Sequence, residues 1–468
     1  MRLVKKIILV FGFVILIAGN SSAQPVTWQR TYGGTGIQYG YAILQTPDGG
    51  YIAAGRRFTR IYVLRLNAYG DTVWTRDYPG FEATSVIRTL DNNYVILGAY
   101  SDVIKINEVG ETIWIRSFGI NILTKSIKEG KDGSLAICGI SSMGSLRKPI
   151  LLKLKSNGEL IFLRQYLVNY LDGYFSDIEI DNKSEYIMCG NFSDSSSITD
   201  KFILLKTDSS GNQLWFYFYD FLQFNYPKAI INSLDSGFII GGSTNRSFVM
   251  KFSQTGNYLW KRSYDSLNYS ECRSIVSTND NGYAFTGAWD SLSNSDIYLR
   301  LHKINKEGVV QWKKSFGFNN NDQGYHIIQT LDSGYAMIGI RDNFNNGDIY
   351  IVKTDKTGYA NPIVGISKSY TAVPPSFFLY PNYPNPFNPI TTITYQISSS
   401  SFVSLKVFDL VGNEIATLVN DNQASGKYEF KFDISNTKNS LAFSSGVYVY
   451  TLILNKKQKM SRRMIYIK

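Results

Sequence analysis

The sequence predicts an all-β chain: a seven-bladed β-propeller of four-stranded blades, closed by an N-terminal strand and followed by a small Ig-like antiparallel β-sandwich. Three observations lead there. Between Trp28 and Pro362 a set of short alternating segments recurs seven times at spacings of 40 to 53 residues, the period of propellers and related arrays. The last copy lacks its fourth segment, whereas a matching segment stands alone before the first copy. Beyond Phe377 the repeat gives way to strict alternation punctuated by Gly, Asn and Ser, which argues for a separate sandwich.

The chain opens MRLVKK, runs apolar from Ile7 to Ala18, then offers Ser21-Ser22-Ala23. A basic start, a short apolar run and small residues before the cut describe a cleaved secretory signal. Residues 1–23 are therefore expected to be removed and the propeller to occupy 24–360. The apolar run is too short to span a bilayer comfortably. Gln24 rather than Cys follows the cut, so neither a transmembrane segment nor a lipid anchor is expected.

Each repeat supplies four strands, which in the first copy begin at Gly40 (GYAILQT), Gly50 (GYIAAG), Ile61 (IYVLRLN) and Asp71 (DTVWTRDY). Between the first and second lies a turn built on Asp48, Asp91, Asp132, Asn182, Asp235, Asp280 or Asp332. Asp accepts from the turn's own N–H groups and an adjacent Gly or Asn tolerates positive φ, which is hairpin chemistry. Between the third and fourth lies a second tight turn with a Gly in every copy, from Gly70 to Gly358. The fourth strand carries an aromatic, a cation and an aromatic at alternate positions, as in Trp74-Arg76-Tyr78. Period-two spacing puts all three on one face, where the cation can lie against the rings; the copy at Trp215 has Tyr217 instead of the cation. After Gly358 the seventh copy runs into Asn361-Pro362. The lone segment Trp28–Tyr32 is predicted to fill that gap, closing the ring and removing its free edges.

In outline the LxLxxxGxxxW unit resembles the repeats of quinoprotein-type propellers, a likeness that implies the scaffold and no quinone. The turn TNDNGYAF, Thr278 to Phe285, resembles the Asp-box of sialidase-type propellers, which is structural in those enzymes and implies no catalysis.

Four prolines crowd YPNYPNPFNP, Tyr380 to Pro389, and Pro374 and Pro375 precede it, half of the chain's 12. Each fixes φ and removes a donor, so the stretch enters its domain as an extended edge. Alternation follows, with Tyr428, Phe430 and Phe432 opposite Lys427, Glu429 and Lys431. The run Pro384-Asn385-Pro386-Phe387-Asn388-Pro389, the turn at Asp409 and Gly412, SGVYVY with Gly446 and Tyr448, and the basic end Arg462-Arg463-Met464 closely resemble, in order, the type A C-terminal sorting domain of cargo of the bacterial type IX secretion system. The resemblance covers residues 377–468. It implies a Gram-negative, Bacteroidota-like cell, partnership with the type IX machinery, passage through the outer membrane, and removal of the domain with release or attachment to surface glycolipid. Residues 361–376 have the composition of a linker, where the cut is expected.

Of the net charge of +11, residues 1–23 carry three basic groups and no acids, and the region from Phe377 carries ten Lys and Arg against five Asp and Glu. The middle, residues 24–376, is nearly balanced, with 35 basic and 32 acidic residues. Nucleic-acid binders concentrate charge on the folded domain, so no nucleic-acid partner is expected. Three Cys do not make a disulfide framework. Cys138 and Cys189 occupy a repeat slot that elsewhere holds Ala54, Leu97 and Ile338, and fit there as small buried apolar groups. No HExxH, GxSxG, P-loop or CxxC occurs, and two His cannot build a His-rich metal site. NNNDQG, Asn319 to Gly324, lacks the distal Glu of a calcium loop. No catalytic residue, metal or cofactor is predicted.

Candidate binding residues come from position in the ring. His302 falls in a slot otherwise held by Leu, Ile, Met or Val, a core setting. Asp177 and His326 share a first-strand slot with Ala42, Ser85, Ser126, Ala229 and Ser274; near the axis they are candidates to line a central channel and hold a ligand. Two turns of each copy are tight and share one side of the ring. The other two, before the first strand and between the second and third, gather on the opposite side. There Phe81, Tyr170, Phe175, Phe224, Tyr226, Tyr269, Trp289, Phe318 and Phe344 stand among Asn, Ser and Asp. Rings amid amides and hydroxyls suit sugar faces or a protein surface. The leading expectation is a secreted or surface binding or scaffold propeller for an extracellular glycan or protein. A carbohydrate-active enzyme, glycosidase or lyase, using carboxylates on that loop face is the alternative, and an assembly platform of the WD-repeat kind is a third. Fold alone does not choose among them.

Overall fold

The computed structural model describes residues 26–361 and 377–468, apart from 35, 120, 143–146, 167–171, 194–200, 220–225, 266–269, 291–296, 318–320, 342–346, 381, 383, 398, 437–443 and 456–457. The expected signal (1–23) lies outside the described residues, as does the expected linker except for Asn361. The chain divides into two compact units, one up to residue 364 and one from residue 365.

Seven four-stranded antiparallel sheets make the first unit. In blade 1 the strands are Gln38–Gln45 (inner), Tyr51–Arg57, Arg60–Leu66 and Thr72–Tyr78 (outer), hydrogen-bonded in that order. Blades 2 to 6 repeat this meander. Blade 7 draws three strands from its own copy, Gln323–Gln329, Tyr335–Arg341 and Asp348–Thr354, and takes Trp28–Tyr32 as its outer strand. That closing strand pairs antiparallel with Asp348–Thr354, Trp28 against Lys353 and Tyr32 against Ile349. Asn361 donates from Nδ2 to the Thr27 carbonyl at 3.0 Å, so the last residue described before the tail is tied to the start of the ring. The expected closure is the one observed.

The second and third strands of each blade are almost wholly buried, as central strands packed on both faces must be. The core lies between blades. Ala42, Ile52 and Val63 of blade 1 pack with Val86, Ile96 and Ile104 of blade 2, and Ile338 and Ile351 of blade 7 pack with Tyr51 and Leu64 of blade 1.

The outer-strand aromatics and the Gly of the last tight turn are two halves of one interface. The Tyr78 hydroxyl donates to the Gly110 carbonyl of the next blade at 2.6 Å, Tyr166 to Gly211 at 2.9 Å and Tyr264 to Gly308 at 2.9 Å. Across the closure Tyr32 does the same to Gly70 at 2.6 Å, and Trp28 Nε1 donates to Ala68 at 3.0 Å. Gly308 has φ of +78°, and a Cβ there would stand 2.9 Å from the Trp260 ring. Only Gly accepts both the backbone angle and the ring. The cation lies along its ring as expected, with Arg76 5.9 Å from the Trp74 centroid and Arg116 5.7 Å from Trp114.

One repeated contact has a signal that the landmarks above pass over. Third strands carry a cation at one position in every copy: Arg65, Lys105, Lys153, Lys206, Lys251, Lys303 and Lys353. Each reaches the acidic turn between the first two strands, Arg65 to Asp48 at 2.5 Å, Lys105 to Asp91 at 2.7 Å, Lys303 to Asp280 at 2.9 Å and Lys353 to Asp332 at 2.8 Å. In blade 4, where Asn182 broke the pattern, Lys206 instead meets Asp181 and Glu185, both at 2.7 Å. The positive φ of these turns falls on Gly49, Asn92, Gly133, Ser184, Ser236, Asn281 and Ser333, so Ser serves beside the expected Gly and Asn.

The repeat places Phe175, Tyr226 and Trp289 in variable loops, whereas the structure places all three in strands. Tyr226 opens the inner strand of blade 5, Tyr226–Asn232, paired with Ser243. Phe175 sits within the inner strand Asp172–Ile180 and is fully buried. Trp289 belongs to the second strand of blade 6, Tyr283–Asp290. These strands run longer toward the loop side than the repeat suggested. The three cysteines are free and buried.

The second unit holds a three-stranded sheet, in which Ile390–Ile397 pairs with Phe377–Leu379 and Gly426–Asp433, and a four-stranded sheet of Glu414–Gln423, Ser401–Phe408, Gly446–Leu454 and Gln458–Tyr466 in that order. Leu379, Ile393, Tyr395 and Phe432 pack against Val403, Leu405, Tyr450 and Met464 as its core. Phe387 of the proline run is buried in that core; its N–H donates to Ile465 at 2.9 Å, while Asn385 Oδ1 accepts from the Ile465 N–H at 2.8 Å. The peptide bonds Asn385–Pro386 and Asn388–Pro389 are cis. Asp409 Oδ1 accepts from the N–H groups of Val411 and Asn413 at 2.9 and 2.8 Å, and Gly412 takes φ of +98°. Gly446 begins its strand, and the Tyr448 hydroxyl donates to Ser444 at 2.8 Å. The proline run thus edges a sheet, and the motif residues serve its turns and core.

Candidate functional site

The inner strands converge on the axis, and most are irregular at the same level. Register shifts fall at Gly40/Ala42, Ala83/Ser85, Thr124/Ser126, Phe175/Asp177, Pro227/Ala229 and Gly324/His326. Each bulge lies toward the strand's start, the end fed by the variable loops. An extra residue there reverses which face the next side chain occupies. The residues displaced are Tyr41, Thr84, Lys125, Ser176, Lys228 and Tyr325, and Arg273 holds the equivalent place just before the blade 6 strand Ser274–Ser277.

These bulge residues and their neighbours form an arc of rings and cations over four blades. Tyr100 meets Phe81 edge-on at 5.8 Å, and the Arg56 guanidinium lies 4.9 Å from Phe81 and 4.6 Å from Tyr39. Tyr39 stacks on Tyr41 at 5.7 Å, Tyr41 meets Tyr325 edge-on at 5.0 Å, and Arg273 lies 4.5 Å over Tyr325. Cation–ring contacts of this kind contribute about 0.5–2 kcal/mol each, more when desolvated. Arg56 pairs with Glu82 at 3.5 Å and Arg273 with Glu271. Arg56 Nε is nonetheless buried with no hydrogen-bond partner among the described residues. Burial pushes the hydroxyls of Tyr41 and Tyr325 above their usual range, so both stay neutral donors.

Lys125 of blade 3 and Lys228 of blade 5 complete the rim. Both are exposed, and neither has an ion-pair partner among the described residues. Burial holds the Lys228 amine below its ordinary value; Glu271 opposes this, and Arg273 and Lys125 add to it. Lys125 and Arg273, from two other blades, thus both act on Lys228. This group was missed in sequence because the repeat slot examined there lies one residue further on, and a bulge leaves no trace in the alternation.

Asp177 and His326 occupy that next slot, and the structure gives both a partner. Asp177 Oδ2 accepts from the Ile230 N–H of the next blade at 2.8 Å, and Oδ1 from Ile178 at 2.9 Å. His326 Nδ1 accepts from Ile43 at 3.4 Å, and Ser274 Oγ from Ile327 at 3.3 Å. The slot stitches inner strands together. Burial raises the Asp177 carboxyl against the pull of Lys128, and lowers His326 to about 4 with Lys128 adding to it. Deeper in the channel Lys128 pairs with Glu179 at 2.9 Å.

Of the aromatics expected in loops, Phe81 belongs to the arc, and Tyr226, at the start of its inner strand, has the Lys228 amine 6.0 Å from its ring. Trp289 lies under Arg300 at 3.6 Å, away from the arc's contacts. Tyr170, Phe224, Tyr269, Phe318 and Phe344 lie outside the described residues. His302 is in the core as expected, stacked on Phe285 at 4.5 Å with Nε2 3.1 Å from Asp265, which also takes Arg300 at 2.8 Å and Lys313 at 3.0 Å. Among the described residues no three His, Cys, Asp or Glu side chains gather as a metal set, and no helix is long and apolar enough to cross a membrane.

Two features now define the class of protein: a propeller with a furnished axial mouth, and a second unit built around the proline motif. Residues 382–468 match the family described as secretion system C-terminal sorting domain. The chain therefore carries the type IX sorting signal, the part that engages the type IX machinery and directs passage across the outer membrane of Bacteroidota to the surface or exterior. No curated protein matches the sequence. Among solved structures, a catalytically inactive virginiamycin B lyase of Staphylococcus aureus, solved with quinupristin, is similar at 11% identity over 70% of this chain and 99% of its own, with a TM-score of 0.50. The WD40 propeller domain of Doa1 is similar at 12% identity over 71% and 99%, also at 0.50. These likenesses concern the fold. PorZ, a surface component of the type IX system of Porphyromonas gingivalis, is similar at 12% identity over 91% of this chain, with a TM-score of 0.44; the chain spans 59% of that protein.

Proposed function

We propose that the propeller is a binding module delivered outside the cell, and that its loop face around the axis engages an extracellular glycan or protein. The carrying observation is the arc from Tyr100 to Arg273, which sets five rings and two guanidinium groups around one mouth. Rings with few convergent polar groups are what ligand sites present. In this reading residues 1–23 leave as the signal, 24–360 are the working part, and cleavage within 361–376 frees it from the sorting domain.

The enzymatic alternative needs two carboxyl groups about 5–10 Å apart in a cleft. At the mouth Glu82 and Glu271 are each held by an arginine, and both Asp177 oxygens are taken by backbone N–H groups. Binding is therefore favoured over turnover. The test is a glycan array and a surface-protein pull-down with the purified full chain, beside a Tyr41→Ala/Tyr325→Ala variant. Capture lost in the variant is expected. Hydrolysis or elimination of a captured polysaccharide would make the protein an enzyme instead.

A further inference from the structure

Resting on that reading, we propose that the ligand is a carboxylate-bearing polysaccharide, held at the axial mouth by Lys125 and Lys228 with the tyrosine arc as its platform. The charge count of the mouth comes first. Among the described residues, four cations from four blades reach it, Arg56, Lys125, Lys228 and Arg273, and two acids, Glu82 and Glu271. The acids are paired with the arginines. Two exposed lysines stand outside any ion pair among the described residues. Lys125 and Lys228 are the residues displaced by the bulges of their inner strands, and Arg273 holds the equivalent place in blade 6; like charges brought to one level around an axis favour an anion. Two exposed lysines outside any ion pair among the described residues thus share the bulge level of the inner strands with Tyr41 and Tyr325.

The choice of sugar over acidic peptide follows from backbone and rings. A peptide that adds to a sheet needs a regular free edge. The inner strands face the axis with their free edges, but bulges break that edge at the level of the lysines in six blades. What remains is side chains. Tyr39, Tyr41 and Tyr325 offer ring surface and hydroxyls, and Gln323 sits within the same group, accepting from Arg273 at 2.9 Å. This composition matches pyranose C–H faces and hydroxyls, and the lysines match carboxylates spaced along the chain.

The probe pair is polygalacturonate and the same polymer fully methyl-esterified, which share a backbone and differ in a methyl group that removes the charge; dextran sulfate and polyglutamate are the comparison anions. Binding of the full chain is measured by titration calorimetry at low and moderate salt. Polygalacturonate should bind, its ester at least tenfold more weakly, and salt should weaken the former. Lys125→Gln/Lys228→Gln should lose tenfold or more toward polygalacturonate with an unchanged melting curve, while Lys306→Gln on the tight-turn side should change nothing. Equal binding of acid and ester, loss of both only in Tyr41→Ala/Tyr325→Ala, would sink the anionic assignment and leave the loop-face reading standing. Preference for dextran sulfate or for polyglutamate would replace carboxylated sugar by sulfate or peptide. Absence of binding to every polymer would also end the inference, and the array and pull-down would then decide the broader reading alone.

Discussion

At the scale of the residue, the repeat is a set of small interlocking contacts, each carried by one atom or one angle. Gly308 shows two demands at once, a left-handed backbone and a ring at 2.9 Å. Gly308→Ala should cost about 1–2 kcal/mol for the backbone and about 1–3 kcal/mol for crowding Trp260. Gly49→Ala meets only Ala68 at 3.8 Å and should lose the backbone part alone. Urea denaturation of the two variants separates these contributions; equal losses would refute the ring contact as the reason for the glycine. The acidic turns make a pH prediction. Burial alone would raise the Asp91 carboxyl, but hydrogen bonds from Lys105 and Thr89 and the Lys105 charge hold it well below the usual range. Asp235, Asp280 and Asp332 are lowered in the same way. A depressed carboxylate stabilises the fold above its unfolded pKa near 4, and that contribution is lost as pH falls through the folded value. The denaturation midpoint should therefore be flat near neutrality and fall below about pH 4. Lys206→Met, which strips the cation from Asp181 and Glu185, should destabilise at pH 7 and differ less from the parent in acid. A parent curve unchanged between pH 5 and pH 3 would contradict the clamp.

At the scale of the element, the closing strand was legible because its loss and its surplus were both written in the chain, a seventh copy ending at Asn361-Pro362 and an orphan Trp28–Tyr32. Its contacts repeat those of every other interface, so its worth can be predicted. Trp28→Ala removes a buried indole and its bond to Ala68, and should cost about 3–5 kcal/mol. Deleting residues 24–33 should leave Asp348–Thr354 as a bare edge that associates with other copies. Size-exclusion chromatography checks this; a monomer with an unchanged melt would mean the strand does not close the ring. The third-strand cation was equally open to inspection, Lys in six copies and Arg in one, yet its meaning depends on an acidic turn 14 to 25 residues earlier that only pairing brings near. The bulges are different. Nothing in GYAILQT announces that Tyr41 leaves the alternation, because a bulge is set by how neighbouring strands must bend toward the axis. Phe175, Tyr226 and Trp289 were misplaced for a related reason: strand ends extend as far as partners allow.

At the scale of the whole molecule, the tail decides where the ring operates. Deletion of residues 382–468 should leave the protein behind the outer membrane, and cell fractionation with immunoblotting reads this directly; normal appearance in the medium would remove the sorting role. Mass spectrometry of the exported product gives the ends of the mature chain and tests the cut proposed within 361–376. The order of repeats, the number of blades, the closure and the sorting domain were all determined by sequence alone, since each rests on residue types recurring at fixed spacing along one chain. The mouth of the ring was decided by tertiary structure. Tyr41, Lys125, Lys228, Arg273 and Tyr325 lie up to 284 positions apart and meet only because radial sheets bring every inner strand to one axis. Electrostatic and ring contacts act over a few ångströms, whatever the separation in sequence, so the charge left over at that meeting point belongs to the fold.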